Sequence, residues 1–109
     1  MSVRNVNLTV EVHFEKPIYS QYDIIYRIYV NEELMTERTW LWDLKTFLKE
    51  NICINVNSDT VYTIFLDSIL SSPYSPIKLP GFKLQNLQSI DEKIEILNSD
   101  STSMTFRIV

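Results

Sequence analysis

The sequence predicts an all-β fold, an antiparallel β-sandwich or jelly roll of seven to eight short strands. Three observations predict this fold class. Apolar and polar residues alternate with a period of two in most segments. Turn-forming residues recur about every 8–12 positions, and no series of helical patterns interrupts them. With 109 residues, of which 45% are hydrophobic, the chain is expected to form one domain over residues 1–109.

The first strands are predicted from their alternation. Residues 6–14, VNLTVEVHF, alternate strictly between apolar and polar side chains. Residues 22–30, YDIIYRIYV, are rich in β-branched and aromatic residues. The turn NEE, residues 31–33, joins the strand over 22–30 to a strand over 34–40. These two strands are the strongest hairpin candidate. Because the chain has a single glycine, we expect Asn and Asp to form its tight turns, since both tolerate the left-handed region.

The segment LWDLKTFLKENICINV, residues 41–56, has two interpretations. Its leucines and phenylalanine fall at helical spacing, and Asp43 is a suitable N-cap, so either a turn or one short helix near 43–49 is expected here. Its isoleucines alternate with polar residues from the other end, which favours a strand over about 50–56.

Turn residues divide the remainder of the chain into four more strands. The strand over 60–69, TVYTIFLDSI, has apolar residues on both faces, as a central strand does. The main loop, residues 70–81, holds three prolines and the only glycine. Further strands are predicted over 82–90 and 94–97, and the chain ends on the strand MTFRIV, residues 104–109.

The alternation also predicts which side chains face the core. Truncation of an inward isoleucine or leucine to alanine is expected to cost about 2–5 kcal/mol of stability. The predicted inward residues are Val6, Leu8, Val10, Val12, Phe14, Ile24, Tyr26, Ile28, Ile54, Ile64, Leu66, Phe82, Leu84, Met104, Phe106 and Ile108.

Composition excludes several classes of partner and location. The net charge of -4 argues against a nucleic-acid partner, because DNA- and RNA-binding proteins present basic stripes. No run of 18 apolar residues occurs, so we expect no contact with a membrane through a spanning helix. The N-terminal residues have no continuous apolar segment, so secretion by a signal peptide is not expected. A single cysteine permits no intrachain disulfide, and the expected setting is a reducing cytoplasm or a particle assembled in one.

Residues that could carry catalysis or bind metal are few. His13 lies on the polar face of the first strand, where we expect a solvated surface histidine, and no nucleophile motif accompanies it. Cys53 has apolar neighbours and is expected to be buried and inert. One histidine and one cysteine cannot form a structural zinc site, and Asp43, Asp91 and Glu92 lack the spacing of a calcium loop. The prediction is therefore a protein that is not an enzyme and has no metal or cofactor.

The segment TERTWLWD, residues 36–43, contains both tryptophans. In strand geometry Arg38, Trp40 and Trp42 share a face. One interpretation is that the rings close an end of the core, because tryptophan is mostly buried in proteins. The other is an exposed platform that stacks on a sugar or anchors a protein interface. Together with Tyr74 of the main loop, Arg38, Trp40 and Trp42 are the candidate contact residues.

The segment YRIYVNEELMTERTWLWD, residues 26–43, resembles a pattern in short uncharacterised proteins of contractile-tailed phages of marine cyanobacteria. The resemblance continues in the VYTIFL strand and in GFKLQN, residues 81–86, and covers about residue 20 to the end. The turn NVNSD, residues 55–59, departs from it, because the family has glycine there. The resemblance implies a virion-associated β-sandwich of structural or unknown role, and it implies no catalytic residues.

Three hypotheses for function follow. The first is a non-catalytic phage structural or accessory protein, located in the virion or the host cytoplasm. Its partners are other virion or tail proteins, or a second copy of itself in a homo-oligomer. The second is a carbohydrate-binding β-sandwich module that presents exposed aromatic rings to a glycan. The third is a small cytoplasmic protein or enzyme that modulates a host, which requires a concave pocket with converging titratable groups.

Overall fold

The computed structural model describes residues 3–14, 24–40, 47–57, 60–70, 77–78, 81–90 and 92–108. These residues contain β-strands and turns and no helix, which confirms the all-β prediction. The strands in chain order are β1 Val3–Phe14, β2 Ile24–Val30, β3 Glu33–Thr39, β4 Phe47–Asn57, β5 Val61–Leu70, β6 Ile77–Lys78, β7 Phe82–Ser89, β8 Ile94–Ser99 and β9 Ser103–Ile108.

Two antiparallel sheets make up the fold. The smaller sheet has the order β4-β1-β7, and the larger sheet has the order β3-β2-β5-β9-β8, with the short strand β6 paired to the end of β5. The predicted hairpin is present, because β2 and β3 pair directly across a two-residue turn. This arrangement is that of a β-sandwich, and the jelly-roll topology stays a prediction.

A cluster of four aromatic rings joins the two sheets at one end of the core. Phe14 of β1 stacks on Phe82 of β7 with ring centroids 4.3 Å apart. From the larger sheet, Tyr26 of β2 approaches Phe82 at 5.8 Å, and Trp40 meets the same ring edge-on at 5.4 Å. Edge-to-face and offset contacts of this kind add stability beyond the burial of area, so the cluster fixes how the sheets face each other.

The buried core follows the predicted alternation closely. All of the predicted inward residues are buried except Ile24 and Met104, which are partly buried and pack against the core. From Val6 to Val12 on β1 every second residue is inaccessible to solvent, as expected for the central strand of the smaller sheet. The buried apolar residues outside the predicted set are Val30, Trp40, Ile52, Val56, Tyr62 and Leu87.

A β-bulge in β7 brings Leu87 to the core. Thr9 of β1 lies opposite Gln88 while Glu11 lies opposite Gln85, so β7 has one residue more than β1 over this stretch. Asn86 has a φ of 54° and absorbs the extra residue in the left-handed region. Strict alternation from Phe82 places Leu87 outside, and the bulge returns it to the inner face.

Two predictions of local structure differ from the fold. The short helix near 43–49 is wrong at residues 47–49, which belong to β4, and residues 43–46 lie outside the described residues. Inward packing decides this region, because Glu50 and the alternate residues that follow it are buried against the facing strands. The main loop predicted over 70–81 contains the two residues of β6.

Candidate binding surface

An apolar row crosses three adjacent strands on the outer face of the larger sheet. Leu34 of β3 lies opposite Tyr29 of β2, and Tyr29 lies opposite Phe65 of β5. Residues directly opposite in antiparallel strands point to the same face, so the three side chains are neighbours. Leu34 is 48% exposed and Phe65 is 41% exposed, while Tyr29 is half-buried between them. We call these three residues, one leucine and two aromatic residues, the aromatic row.

A surface cavity of about 920 Å³, open to solvent, lies at the Phe65 end of the aromatic row. Tyr29 and Phe65 supply its aromatic wall, and their ring centroids are 6.4 Å apart with an angle of 36° between the planes. The remaining lining residues are polar: Asn31, Glu32, Thr63, Asp67 and Ser103. The cavity therefore combines an apolar wall with hydroxyl, amide and carboxylate groups, the composition typical of a recognition site.

The β2–β3 turn is fastened to β5 beside this cavity. Asn31 accepts a hydrogen bond from the backbone N–H of Thr63 through its Oδ1 atom at 2.8 Å. The backbone N–H of Asn31 donates to the carbonyl oxygen of Thr63 at 2.9 Å. Asn31 and Glu32 have φ angles of 48° and 69°, as a type I′ hairpin turn requires at both central positions. The expectation that asparagine replaces glycine in tight turns is confirmed at Asn31.

Charged residues border the aromatic row on one side. Arg27 of β2 lies opposite Glu37 of β3 and opposite Asp67 of β5. The Nε atom of Arg27 is 3.4 Å from Oε2 of Glu37, and both side chains are partly exposed. Ion pairs in such positions contribute up to about 1 kcal/mol, so this pair organises the rim of the surface more than it stabilises the fold.

Among the predicted contact residues, Trp40 belongs to the core. It is 6% exposed, and its backbone N–H donates to the carbonyl of Ile24 at 2.7 Å, which extends the β2–β3 pairing. The interpretation that its ring closes an end of the core is correct, and the exposed platform at this position is wrong. The cause is the inner aromatic cluster, which takes up the ring. Trp42 and Tyr74 lie outside the described residues.

Arg38 is engaged in an ion pair between the two sheets. Its Nη2 atom lies 2.8 Å from Oε1 of Glu50, which is on the inner face of β4. Glu50 is only 3% exposed, whereas the Arg38 side chain is 45% exposed. The hydrogen bond to Glu50 raises the pKa of the Arg38 guanidinium, so the guanidinium stays charged. Arg38 is thus first a structural partner of a buried carboxylate.

Tyr26 lies beside this ion pair in the core. Its side chain is inaccessible to solvent, and its hydroxyl adjoins the Arg38 guanidinium and the Glu50 carboxylate. Burial raises the pKa of the Tyr26 hydroxyl well above its ordinary value of 10.0, and the negative charge of Glu50 raises it further. A neutral phenol in this position is therefore a fixed property of the fold at any ordinary pH.

His13 and Cys53 both lie on the outer face of the smaller sheet. His13 is partly buried: its Nε2 atom is 2.9 Å from Oε1 of Glu11, and its ring stacks on Phe47 with centroids 4.9 Å apart. The hydrogen bond to His13, followed by one from Asn86, lowers the pKa of the Glu11 carboxyl. Cys53 is exposed, so the prediction of a buried cysteine is wrong. The alternation of β4 turns its two isoleucine neighbours inward and the thiol outward.

The described residues contain no cluster of metal-binding side chains and no helix that could cross a membrane. No group of three or more histidine, cysteine or acidic residues in these ranges is placed to hold a metal ion. Within the same ranges there is no helix with the length and apolar character that crossing a bilayer requires.

The residues of the aromatic row were not among the sequence-predicted contact residues. The available signal was Phe65, an apolar residue on the face of β5 opposite Ile64 and Leu66. Apolar residues on both faces predicted a central strand, and β5 does lie between β2 and β9. What differs is that the second face is open: Val61 and Phe65 are 48% and 41% exposed.

Comparison with protein-family models, with curated proteins and with solved structures finds no match for this chain.

Proposed function

We propose that this protein is a non-catalytic binding domain that acts through protein–protein contacts made at the aromatic row. The observation that carries the proposal is the exposure of Leu34 and Phe65 on either side of Tyr29, in register across three strands. Protein interfaces favour an apolar and aromatic centre with a polar rim. The ion pair of Arg27 and Glu37 on one side provides such a rim.

The rigidity of this surface also supports binding. The three residues of the row belong to paired strands, and the neighbouring turn is held by two hydrogen bonds between Asn31 and Thr63. A surface that is ordered before it meets a partner loses little side-chain and loop entropy on association. Phe65 is the expected energetic centre, because it combines an aromatic ring with a place beside the cavity.

The resemblance to phage proteins extends this proposal to a biological setting. A non-catalytic domain with one exposed aromatic face suits a virion or tail accessory protein that contacts other virion proteins or a second copy of itself. We infer a location in the virion or in the host cytoplasm from that resemblance. Mass spectrometry of purified particles tests the setting, and detection in infected-cell lysate but never in particles would contradict it.

Photo-crosslinking tests the binding surface itself. Benzoylphenylalanine replaces Leu34 in one variant and Cys53 in a matched control, since both positions are exposed but Cys53 lies on the outer face of the smaller sheet, away from the aromatic row. We expect one discrete crosslinked product from position 34, identified by mass spectrometry, and none from position 53. The addition of Phe65→Ser should abolish that product. No discrete product from position 34, or equal products from both positions, would contradict the proposal.

A specific feature of the smaller sheet supports a second candidate function, the binding of a neutral glycan. The outward positions of the smaller sheet are rich in amide side chains, although Asn is depleted in strands generally. Phe47 is 46% exposed beside them, with His13 stacked on its ring. Amides offer paired donors and acceptors to sugar hydroxyls, and an exposed ring offers a stacking surface. The exposed amide residues are Asn5, Asn7, Asn51, Asn55, Gln85, Asn86 and Gln88.

A glycan array tests this second candidate. We expect weak binding to neutral oligosaccharides that Phe47→Ala and Asn51→Ala reduce and that Phe65→Ala, on the opposite sheet, leaves unchanged. An array without signal from the parent protein, or a signal that Phe65→Ala removes, would exclude the outer face of the smaller sheet as a glycan site.

A further inference from the structure

We propose that the cavity beside the aromatic row receives an arginine side chain of the protein partner. This inference rests on the proposed function and names the chemistry of the residue that enters the cavity. Three features of the cavity lead to it: the pair of aromatic rings, the carboxylates of Glu32 and Asp67, and a strained backbone at Glu32.

The aromatic pair has the right spacing to hold a planar cation. The ring centroids of Tyr29 and Phe65 are 6.4 Å apart, so a point midway between them is 3.2 Å from each. A guanidinium held roughly 4 Å above that point is about 5 Å from both centroids, within the range of about 6 Å for a cation–π contact. A planar guanidinium also stacks on rings better than a lysine ammonium does.

The charges around the cavity decide in favour of a cation. Glu32 and Asp67 are the only acidic side chains, and no basic side chain is present, among the residues that line the described cavity. Arg27 is the nearby basic residue that lies opposite Asp67, and its Nε atom is directed to Glu37 at 3.4 Å. The cavity thus offers carboxylates to a cationic ligand, and a guanidinium can bond a carboxylate through two of its N–H groups.

Glu32 holds its carboxylate at the cavity in spite of an unfavourable backbone. Its φ of 69° lies in the left-handed region, at the position of a type I′ turn where glycine is strongly preferred. Asn-Gly is the favoured pair for such turns, whereas this chain has Asn31 followed by a glutamate. The hydrogen bonds between Asn31 and Thr63 hold this turn, and backbone outliers of this kind cluster at functional sites, which supports a role for the Glu32 carboxylate in binding.

The small polar residues complete the site for a guanidinium. The hydroxyl groups of Thr63 and Ser103 line the same cavity and can accept hydrogen bonds from N–H groups that do not reach a carboxylate. Thr63 is also fixed in place by its two backbone hydrogen bonds to Asn31. The cavity therefore presents acceptors from β5, β9 and the β2–β3 turn around one aromatic wall.

NMR titration with N-acetyl-arginine amide tests the inference, with N-acetyl-citrulline amide as the neutral probe of nearly the same shape. We expect arginine amide at millimolar concentration to shift the backbone resonances of Tyr29, Phe65 and Ser103, and citrulline amide to leave them in place. Equal shifts from both probes, or arginine shifts centred elsewhere, would overturn the inference.

Variants of the two carboxylates sharpen this test. Glu32→Gly and Asp67→Asn should each weaken arginine binding roughly two- to fivefold, as expected for one partly exposed charge pair. Glu32→Gly should at the same time melt no earlier than the parent protein, because glycine suits the turn. Glu95→Gln is the matched control: it removes a carboxylate of the same sheet that pairs with Arg107 instead.

The photo-crosslinking described above separates this inference from the proposed function. If arginine amide fails to bind while the product from position 34 persists, the aromatic row is a protein-binding surface and the arginine assignment is wrong. If the product from position 34 is absent, the proposed function fails whatever the titration shows. Unchanged arginine binding in both Glu32→Gly and Asp67→Asn would also refute the assignment.

Discussion

Removal of the Arg38 charge should destabilise the protein, because it leaves the Glu50 carboxylate buried without its counter-ion. Arg38→Met retains most of the apolar stem and removes only the guanidinium. An unpaired charge at a fully buried site costs about 3–5 kcal/mol, whereas an exposed ion pair is worth up to about 1 kcal/mol. Glu50 is 3% exposed but the Arg38 side chain is 45% exposed, so water screens the pair from one side. We therefore expect a loss of about 2 kcal/mol.

Thermal unfolding followed by circular dichroism measures this loss. An entropy of unfolding near 2.1 cal/mol/K per residue gives roughly 0.23 kcal/mol/K for this chain, so about 2 kcal/mol lowers Tm by about 9 °C. Arg27→Met is the matched control, because the Arg27–Glu37 pair spans 3.4 Å and both partners are partly exposed. Its loss should stay below about 1 kcal/mol.

The double variant Arg38→Met with Glu50→Met decides the cause. If the buried carboxylate produces the loss, replacing both partners by apolar side chains should return the stability to within about 1 kcal/mol of the parent. The reasoning is refuted if Arg38→Met costs no more than Arg27→Met. It is also refuted if the double variant is as unstable as Arg38→Met alone, since the loss would then arise from packing and not from charge.

Three further predictions follow from the core and the titrating groups. Ile28→Ala and Ile64→Ala should each cost about 2–5 kcal/mol in chemical unfolding, while Val61→Ala, on the exposed face, should change stability by no more than about 0.5 kcal/mol. Burial raises the pKa of the Tyr26 hydroxyl in the folded state. Its contribution to stability is therefore fully present below the unfolded-state pKa near 10, and it is lost as pH rises above that value. Tyr26→Phe should therefore reduce the fall in Tm between pH 9 and 11, and an unchanged fall would contradict this. Hydrogen bonds from the backbone N–H groups of Thr102 and Ser103 lower the pKa of the Asp100 carboxyl. Its contribution to folding stability is therefore present above the ordinary pKa of 3.8, and it is lost as pH falls through the pKa of the folded state. The NMR shifts of those two amides should titrate below 3.8, and Asp100→Asn should abolish that titration.

The alternation of side chains was sufficient to predict the fold class and most of the core. On β1 and β5, apolar residues occupy every second position and so lie on one face of the strand. They leave water only when that face packs against the other sheet. Burial on the inner face follows from local sequence alone. The same rule, applied to Ile52 and Ile54, turns Cys53 outward, and the apolar neighbours of the cysteine were the wrong guide to its burial.

Features that depend on contacts between distant segments could not be predicted in this way. The bulge at Asn86 depends on how β7 pairs with β1, and it moves Leu87 to the core against the local alternation. The burial of Trp40 depends on rings contributed by β1, β2 and β7. A side chain at the end of a strand has no periodic neighbour to indicate its side, so its burial is decided by what the other sheet places there.

The sequence by itself determined that this chain forms antiparallel strands around a dry core, because a period of two is a property of each strand alone. Tertiary structure decided where the binding surface lies. Strand order sets Leu34, Tyr29 and Phe65 side by side, although Phe65 is far from the other two in the chain. It also brings Arg38 to Glu50 across the sheets. The physical reason is that neighbours across a sheet are chosen by pairing and register, which no local pattern of residues encodes.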